Sequence, residues 1–135
     1  MTRPIRLEDD PSLDARAVAA LYRDSGIVRP VDDIARIARM LQHANLIVAA
    51  YDDDDTLIGV ARALTDFSYC CYLSDLAVAK SHQRAGVGKA LIERVQTRIG
   101  DACMLLLLSA KDAMGYYPSR GFVPVANGFI IPRKR

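Results

Sequence analysis

The centre of the chain carries a strand–loop–helix–strand pattern that restricts its fold more than any other feature. A strand pattern from Tyr69 to Val78 runs into a polar loop, Ala79 to Gly88, that contains two glycines. An amphipathic helix pattern follows, and Gly100 ends it, because glycine readily takes the left-handed conformation at a helix C-terminus. Met104 to Leu108 is an uninterrupted apolar run that suits a central strand buried on both faces. The pattern predicts a mixed α/β fold.

The rest of the chain supplies helices and strands on either side of this unit. A length of 135 residues without a linker, a repeat or a low-complexity segment predicts a single domain, residues 1–135. Apolar spacing and turn residues set the other elements. They are a strand at Ile5–Leu7, helices at Asp14–Asp24 and from Asp32-Asp33 to Gln42, a hairpin of Leu46–Tyr51 with Thr56–Leu64, a short helical stretch around Asp112–Ser119, and strands near Phe122–Val125 and Phe129–Ile131.

The charge balance argues against nucleic acid as a partner. The chain has 18 basic and 16 acidic residues, a formal net charge of +2. This is too even for binding by bulk electrostatic attraction. The basic tail Arg133 to Arg135 is expected to be a solvated chain end. No apolar run approaches the roughly 18 residues of a membrane span, so a membrane is not expected as a partner either.

The cysteines and the N-terminus indicate a reducing compartment. Cys70, Cys71 and Cys103 are an odd number and lack the spacing of a metal site. Met1 to Pro11 is polar and has no apolar signal-peptide core. We therefore expect reduced thiols and a cytoplasmic location.

The run Asp52 to Asp55 is the most obvious candidate for a cation site. It lacks the alternating ligands, the central glycine and the terminal glutamate of a calcium loop. Consecutive acids cannot pack in a core and turn in water instead. We expect a hairpin turn at this position and no metal in the protein.

The loop between the central strand and the following helix has the properties of a pyrophosphate cradle. The first N–H groups of a helix have no internal partner, and the helix dipole adds positive potential there. Glycines without Cβ atoms let phosphate oxygens approach the main chain. The spacing is neither that of a Walker A loop nor that of a dinucleotide fingerprint. The candidate residues are Gln83, Arg84, Ala85, Gly86, Val87, Gly88 and Lys89.

Two motifs in this order resemble the GNAT superfamily of N-acetyltransferases. Gln83-x-x-Gly86-x-Gly88, after the strand Leu76-Ala77-Val78, is similar to motif A of that family. Tyr117, followed by Gly121-Phe122, fits its downstream Tyr-x-x-x-Gly-Phe. The resemblance covers roughly residues 45–132. It implies a central mixed sheet flanked by helices, in which the strand at Tyr69–Val78 and a parallel neighbour at Cys103–Leu108 splay apart, usually with a bulge in the first.

The resemblance also implies a reaction, a cosubstrate and site residues. The family transfers an acetyl group from acetyl-CoA to a primary amine by direct attack on the thioester. Pantetheine would bond to main-chain groups of Leu76, Ala77 and Val78, and pyrophosphate would lie on Gln83 to Lys89. A main-chain N–H near Val78 would stabilise the oxyanion. Tyr117 would protonate the leaving thiolate, with Tyr116 as the alternative if the motif is shifted by one residue.

The general base is less clear from the residues. Asp75 is the only carboxylate within the central strand, where a charge is costly unless it is functional or paired. Asp75 is therefore either a catalytic base or a structural hydrogen-bonding group. Ser74 stands where some family members carry a glutamate. His82, just before the phosphate motif, is expected at the surface.

The acceptor and the assembly state stay open at this stage. A small-molecule amine or a peptide amine would fit the reaction, and the chain could be a monomer or a homodimer. The alternative from another class is a non-catalytic module that binds acyl-CoA for regulation. Thiol release from acetyl-CoA in the presence of an amine separates the two functions.

Overall fold

The computed structural model describes residues 4–135. Its main elements, in chain order, are β1 (Arg6–Asp9), α1 (Ala15–Ser25), α2 (Ile34–His43), β2 (Leu46–Tyr51), β3 (Leu57–Thr65), β4 (Cys70–Val78), α3 (Val87–Ile99) and β5 (Met104–Leu106). Single 3₁₀ turns lie at Lys80–His82, Lys111–Ala113 and Pro118–Arg120.

The five strands form one mixed sheet in the order β1-β2-β3-β4-β5. The first three pairings are antiparallel, and β4 pairs with β5 in parallel. A parallel pair needs a crossover connection, and α3 provides it. The mixed α/β class predicted from the sequence is confirmed.

Both faces of the sheet are covered by helices. Successive side chains of a strand point to opposite faces, so neighbouring residues of β2 report on the two sides. Val48 packs in a cluster with Leu91 and Val95 of α3. Ile47 packs in a second cluster with Tyr22 of α1 and Ile37 of α2. The β2 strand is buried on both faces, and this explains why its sequence is a continuous apolar run. None of the helices in residues 4–135 has the length and apolar character needed to cross a bilayer.

Aspartate side chains cap the first two helices. Asp14 accepts a hydrogen bond from the Ala17 N–H at the start of α1, and Asp33 accepts one from the Arg36 N–H at the start of α2. Gly26 ends α1 with a φ of 90°, a left-handed conformation that favours glycine. The first two predicted helices are confirmed with small changes at their ends.

The C-terminal third departs from the prediction. The Met104–Leu108 run is not a central strand, because β5 is shorter and pairs only with β4, at the edge of the sheet. The stretch around Asp112–Ser119 forms two 3₁₀ turns instead of a helix. Strands near Phe122–Val125 and Phe129–Ile131 are also wrong for the described chain, where these residues are largely exposed. A strand needs main-chain hydrogen bonds to a neighbouring strand, and residues 122–131 do not pair with the outer edge of β5.

Gly59 in β3 lets α3 lie close to the sheet. An added Cβ at this position would be 3.0 Å from side-chain carbons of both Val87 and Leu91. These two residues are fully buried, and Val87 begins α3. The missing side chain of Gly59 therefore sets the height of the N-terminal turn of α3 above the sheet.

We expect Gly59→Ala to lower the free energy of unfolding by about 1–3 kcal/mol, because the extra methyl group overpacks a filled core. Urea denaturation followed by circular dichroism measures the change. Gly128→Ala is the matched control, since a Cβ there meets nothing within 4 Å and its φ is not positive. Equal stability of both variants would contradict this account of Gly59.

Candidate active site

The parallel strands β4 and β5 separate after a short paired segment. Their pairing runs from Cys70 opposite Met104 to Tyr72 opposite Leu106 and ends there, whereas β4 continues to Val78. The register of β4 against β3 shifts by one residue at Ser74, which is a β-bulge. The splayed pair and the bulge expected from the family resemblance are both present. The second half of β4 therefore has a free edge facing the gap.

The main-chain groups on that free edge follow from the strand register. Main-chain bonding alternates along an antiparallel pair. The Ala79 N–H donates to the Ile58 carbonyl, so Ala79 bonds toward β3. Ala77 then also bonds toward β3, opposite Val60, while Leu76 and Val78 present their N–H and C=O groups to the gap. This register supports the predicted contacts of Leu76 and Val78 and does not support one at the main chain of Ala77.

The free edge leads to the N-terminus of α3. Gly86 precedes α3 with a φ of 86°, and no side chain within residues 4–135 caps this end. The first helical bond runs from the Ala90 N–H to the Gly86 carbonyl, so the earlier N–H groups have no helical partner. The Val87 side chain is in the core and offers only its main chain, whereas Arg84 and Lys89 are exposed. This end of α3 is suited to bind an anion.

Side chains from both motifs meet beside this helix end. The Gln83 amide nitrogen donates to the Val78 carbonyl at 3.0 Å. A Cβ at Gly88 would lie 2.7 Å from the Tyr116 hydroxyl, so the glycine makes room for this tyrosine. The Arg120 guanidinium lies over the Tyr116 ring, 5.2 Å from its centroid. The Tyr-x-x-x-Gly-Phe segment thus lies against the loop and helix start formed by residues 83–89.

Tyr117 occupies a different position from its neighbour. Its ring packs edge-on against Phe122, with centroids 5.4 Å apart, and lines a cavity of about 590 Å³ beside β5. Burial, with a smaller contribution from Tyr116, raises the pKa of the Tyr117 hydroxyl, and the positive charge of Arg29 opposes this rise. Tyr117 therefore keeps its proton at neutral pH, as a proton donor must.

Asp75 lies on β4 at the bulge and is fully buried. Its carboxylate accepts hydrogen bonds from Arg62 Nε at 2.5 Å, Arg29 Nε at 2.6 Å and the Tyr22 hydroxyl at 2.9 Å. Burial would raise the pKa of Asp75, but the hydrogen bonds and charges of Arg62 and Arg29 outweigh it and lower the pKa. A buried carboxylate between two arginines is a poor proton acceptor. The geometry favours the structural alternative for Asp75 over the general-base hypothesis.

Sequence reasoning missed the partners of Asp75. Arg62 is the only charged residue in the predicted strand Thr56–Leu64, and a charge inside a buried strand was a usable signal. Arg29 lies in the loop between α1 and α2, and nothing in its sequence context indicated a role. Tyr22 lies within the predicted helix Asp14–Asp24, and its hydroxyl donates to the carboxylate across the core.

Other predicted positions have structural explanations. His82 is buried instead of exposed, and its Nδ1 lies 2.8 Å from the Ser81 hydroxyl. The Asp52 carboxylate accepts from the N–H groups of Asp54 and Thr56, as expected for a turn, although carboxylates of Asp52 to Asp54 lie within 4.8 Å of one another. The cysteines, Cys70, Cys71 and Cys103, are free thiols.

The comparisons with known proteins agree with this geometry. Residues 9–130 match the family described as "Acetyltransferase (GNAT) domain". The chain is 31% identical over 102 residues to GCN5-related N-acetyltransferase 1, chloroplastic, from Arabidopsis thaliana, a match that covers 73% of this chain and 52% of that protein. The chain belongs to the GNAT acetyltransferase family.

Solved structures show the same fold. A GNAT family acetyltransferase from Streptococcus pneumoniae superposes with a TM-score of 0.80 at 23% identity, over 98% of this chain and 100% of that one. An aminoglycoside N-acetyltransferase in complex with CoA gives a TM-score of 0.72 at 17% identity, over 100% and 98% of the two chains. The chain spans about half the length of the Arabidopsis relative and 63% of an uncharacterized N-acetyltransferase of Porphyra purpurea.

We expect Asp75→Asn to lower the free energy of unfolding by about 3–5 kcal/mol, because it leaves Arg62 and Arg29 without their buried counter-charge. Urea denaturation at neutral pH measures this loss. The lowered pKa also sets a pH dependence. The contribution of Asp75 is complete above its ordinary value of 3.8 and is lost as the pH falls through the lower value of the folded state. Below pH 3.8 the wild type should therefore lose stability more steeply than the variant.

Proposed function

We propose that this protein transfers an acetyl group from acetyl-CoA to a primary amine by direct attack on the thioester. The single observation that supports this function best is the free edge of β4. At one end it meets the N-terminus of α3, which is suited to bind an anion, and at the other it reaches the bulge. Arg29, which bonds to the bulged Ser74, also acts through its charge on the Tyr117 hydroxyl. An extended ligand with a pyrophosphate at one end and a reactive group at the other fits this path. The aminoglycoside N-acetyltransferase of the same fold was solved with CoA.

The cosubstrate would be held by main-chain groups along this path. The pantetheine arm would add to the free edge as a further strand, bonding to Leu76 and Val78. The pyrophosphate would accept hydrogen bonds from N–H groups of residues 86–89, assisted by the charges of Arg84 and Lys89. The Gln83 side chain, which bonds to the Val78 carbonyl, would adjust as the arm enters.

The acetyl transfer itself requires a neutral amine. A free ammonium with a pKa near 10.4 must lose a proton, and a water relay supplies this better than the buried Asp75. The amine nitrogen then bonds to the thioester carbon, and a main-chain N–H at the bulge end of the free edge stabilises the oxyanion, because Val78 lies toward the pyrophosphate end. The oxyanion then collapses, the carbon–sulfur bond breaks, and Tyr117 donates its phenolic proton to the departing sulfur. The acylated nitrogen loses its extra proton, which water carries to the Tyr117 phenolate and so restores the phenol. The products are an amide and CoA.

A non-catalytic acyl-CoA-binding module is the alternative. A screen of primary amines with acetyl-CoA, read as release of free thiol, tests the proposal. Amine-dependent release supports catalysis. Saturable CoA binding without release across the whole panel would support the binding module instead.

We expect Gly88→Glu to weaken acetyl-CoA binding by at least about 100-fold, because a carboxylate would stand at the pyrophosphate position against like charge. Isothermal calorimetry gives the affinity. Gly88→Ala separates charge from bulk, since its Cβ displaces the Tyr116 hydroxyl without adding charge, and its loss should be smaller. Wild-type affinity in Gly88→Glu would remove this loop from the cofactor site.

We expect Tyr117→Phe to lower kcat by about 10²–10⁴-fold, the usual worth of general acid catalysis, with little change in KM. Single-turnover acetyl transfer measures the chemical step directly, so that slow product release cannot hide the loss. Tyr116→Phe serves as the control for the motif position and should be much milder, because its hydroxyl lies at Gly88. An unchanged single-turnover rate in Tyr117→Phe would exclude it from the mechanism.

A further inference from the structure

We infer that the acceptor carries an anionic oxygen group, a carboxylate or a phosphate, close to its reacting amine, and that Arg29 binds this group. The inference rests on the proposed acetyl transfer and names the class of acceptor for the same site. It is carried by the position, the charge and the free hydrogen-bond donors of the Arg29 guanidinium.

Arg29 lies where the acetyl group would be presented. Its Nη2 donates to the Ser74 carbonyl at 2.6 Å, and Ser74 is the bulged residue of β4. Its charge also acts on the hydroxyl of Tyr117. A pantetheine arm that enters from the α3 terminus passes Val78 and then Leu76 before it reaches the bulge. The guanidinium therefore borders the reactive end of this path and not the pyrophosphate end.

The buried cluster around Asp75 leaves one positive charge uncompensated. Arg29 and Arg62 contribute two positive charges and Asp75 one negative charge, which leaves a net charge of +1. Tyr22 adds none, because burial and the charge of Asp75 raise its pKa well above the usual range. The Arg62 side chain is only 9% exposed, whereas that of Arg29 is 29% exposed. The surplus charge thus meets solvent at Arg29.

Arg29 also keeps donors available in a fixed geometry. A guanidinium has five N–H donors. Three are used, by Asp75, by the Ser74 carbonyl and by the Val28 carbonyl. The two that remain are on the terminal nitrogens, where a planar oxyanion binds in a fork. Because the group is already held, little rotamer entropy is lost on binding. A polycationic amine would meet like charge at the same place.

Matched acceptor pairs test this class of substrate. One set of pairs compares amino acids with their carboxamides. The other set compares aminoalkyl phosphates with the corresponding amino alcohols, so the two sets distinguish a carboxylate from a phosphate. In the wild type we expect kcat/KM to be about 10- to 100-fold higher for the anionic than for the neutral acceptor in at least one set, which is the contribution of a hydrogen-bonded charge pair. Arg29→Gln should remove that preference.

The change in preference between wild type and variant is the decisive quantity, because the differing amine pKa values of each pair cancel. Arg29→Lys retains the positive charge without the two parallel N–H donors of the guanidinium, and it should keep part of the preference. This variant also keeps the test valid if Arg29→Gln folds poorly. Arg23→Gln is the control, since Arg23 is exposed and pairs with Asp32. CoA affinity, measured by calorimetry, should not change in any of the three.

Three results would overturn the inference in different ways. If Arg29→Gln slows both members of each pair equally, Arg29 only supports the Asp75 cluster or the acidity of Tyr117, and it does not bind the acceptor. A wild-type preference for the uncharged members would likewise contradict it. If CoA binds but no amine is acetylated, the proposed function itself fails, and the inference fails with it.

Discussion

The buried carboxylate of Asp75 is the interaction on which the arrangement of the site depends. A charge without solvent contact is tolerated only when other groups replace its hydration. Here Arg62 of β3, Arg29 of the loop after α1 and Tyr22 of α1 do so. Arg29 and Arg62 also bond to the carbonyl and the hydroxyl of Ser74. One carboxylate thus ties a helix, a loop and two strands to the bulge.

The bulge in turn positions the proposed reaction path. It falls just beyond the last paired residues of β4 and β5, so the strand turns away from its neighbour where the cluster holds it. A free strand edge offers unsatisfied main-chain groups, and an extended ligand can bond to them. Because Arg29 belongs to the cluster, the same ion pairs that stabilise the bulge also place a positive charge beside it. Under the proposed function, stability and acceptor choice are linked through the Arg29 side chain.

Packing on the opposite face positions the phosphate end. Gly59 lets Val87 and Leu91 contact the sheet, and this fixes the first turn of α3 at the end of β4. The Val87 side chain anchors the turn in the core. Gly88, in the first turn of α3, then leaves room for the Tyr116 hydroxyl. Gly59 on β3 and Gly88 on α3 therefore both shape the proposed phosphate-binding surface.

The sequence by itself determined the α/β class, the two N-terminal helices, the hairpin and the loop before α3, because these depend on local periodicity, capping residues and glycine. Its motifs also indicated the family. Only the tertiary structure decided that Asp75 is neutralised, since its partners Arg29 and Arg62 lie 46 and 13 residues away along the chain. The local sequence pattern also could not show that Met104–Leu108 contributes only an edge strand. An apolar run predicts a buried strand, but whether that strand is central or at an edge depends on which strands pair with it.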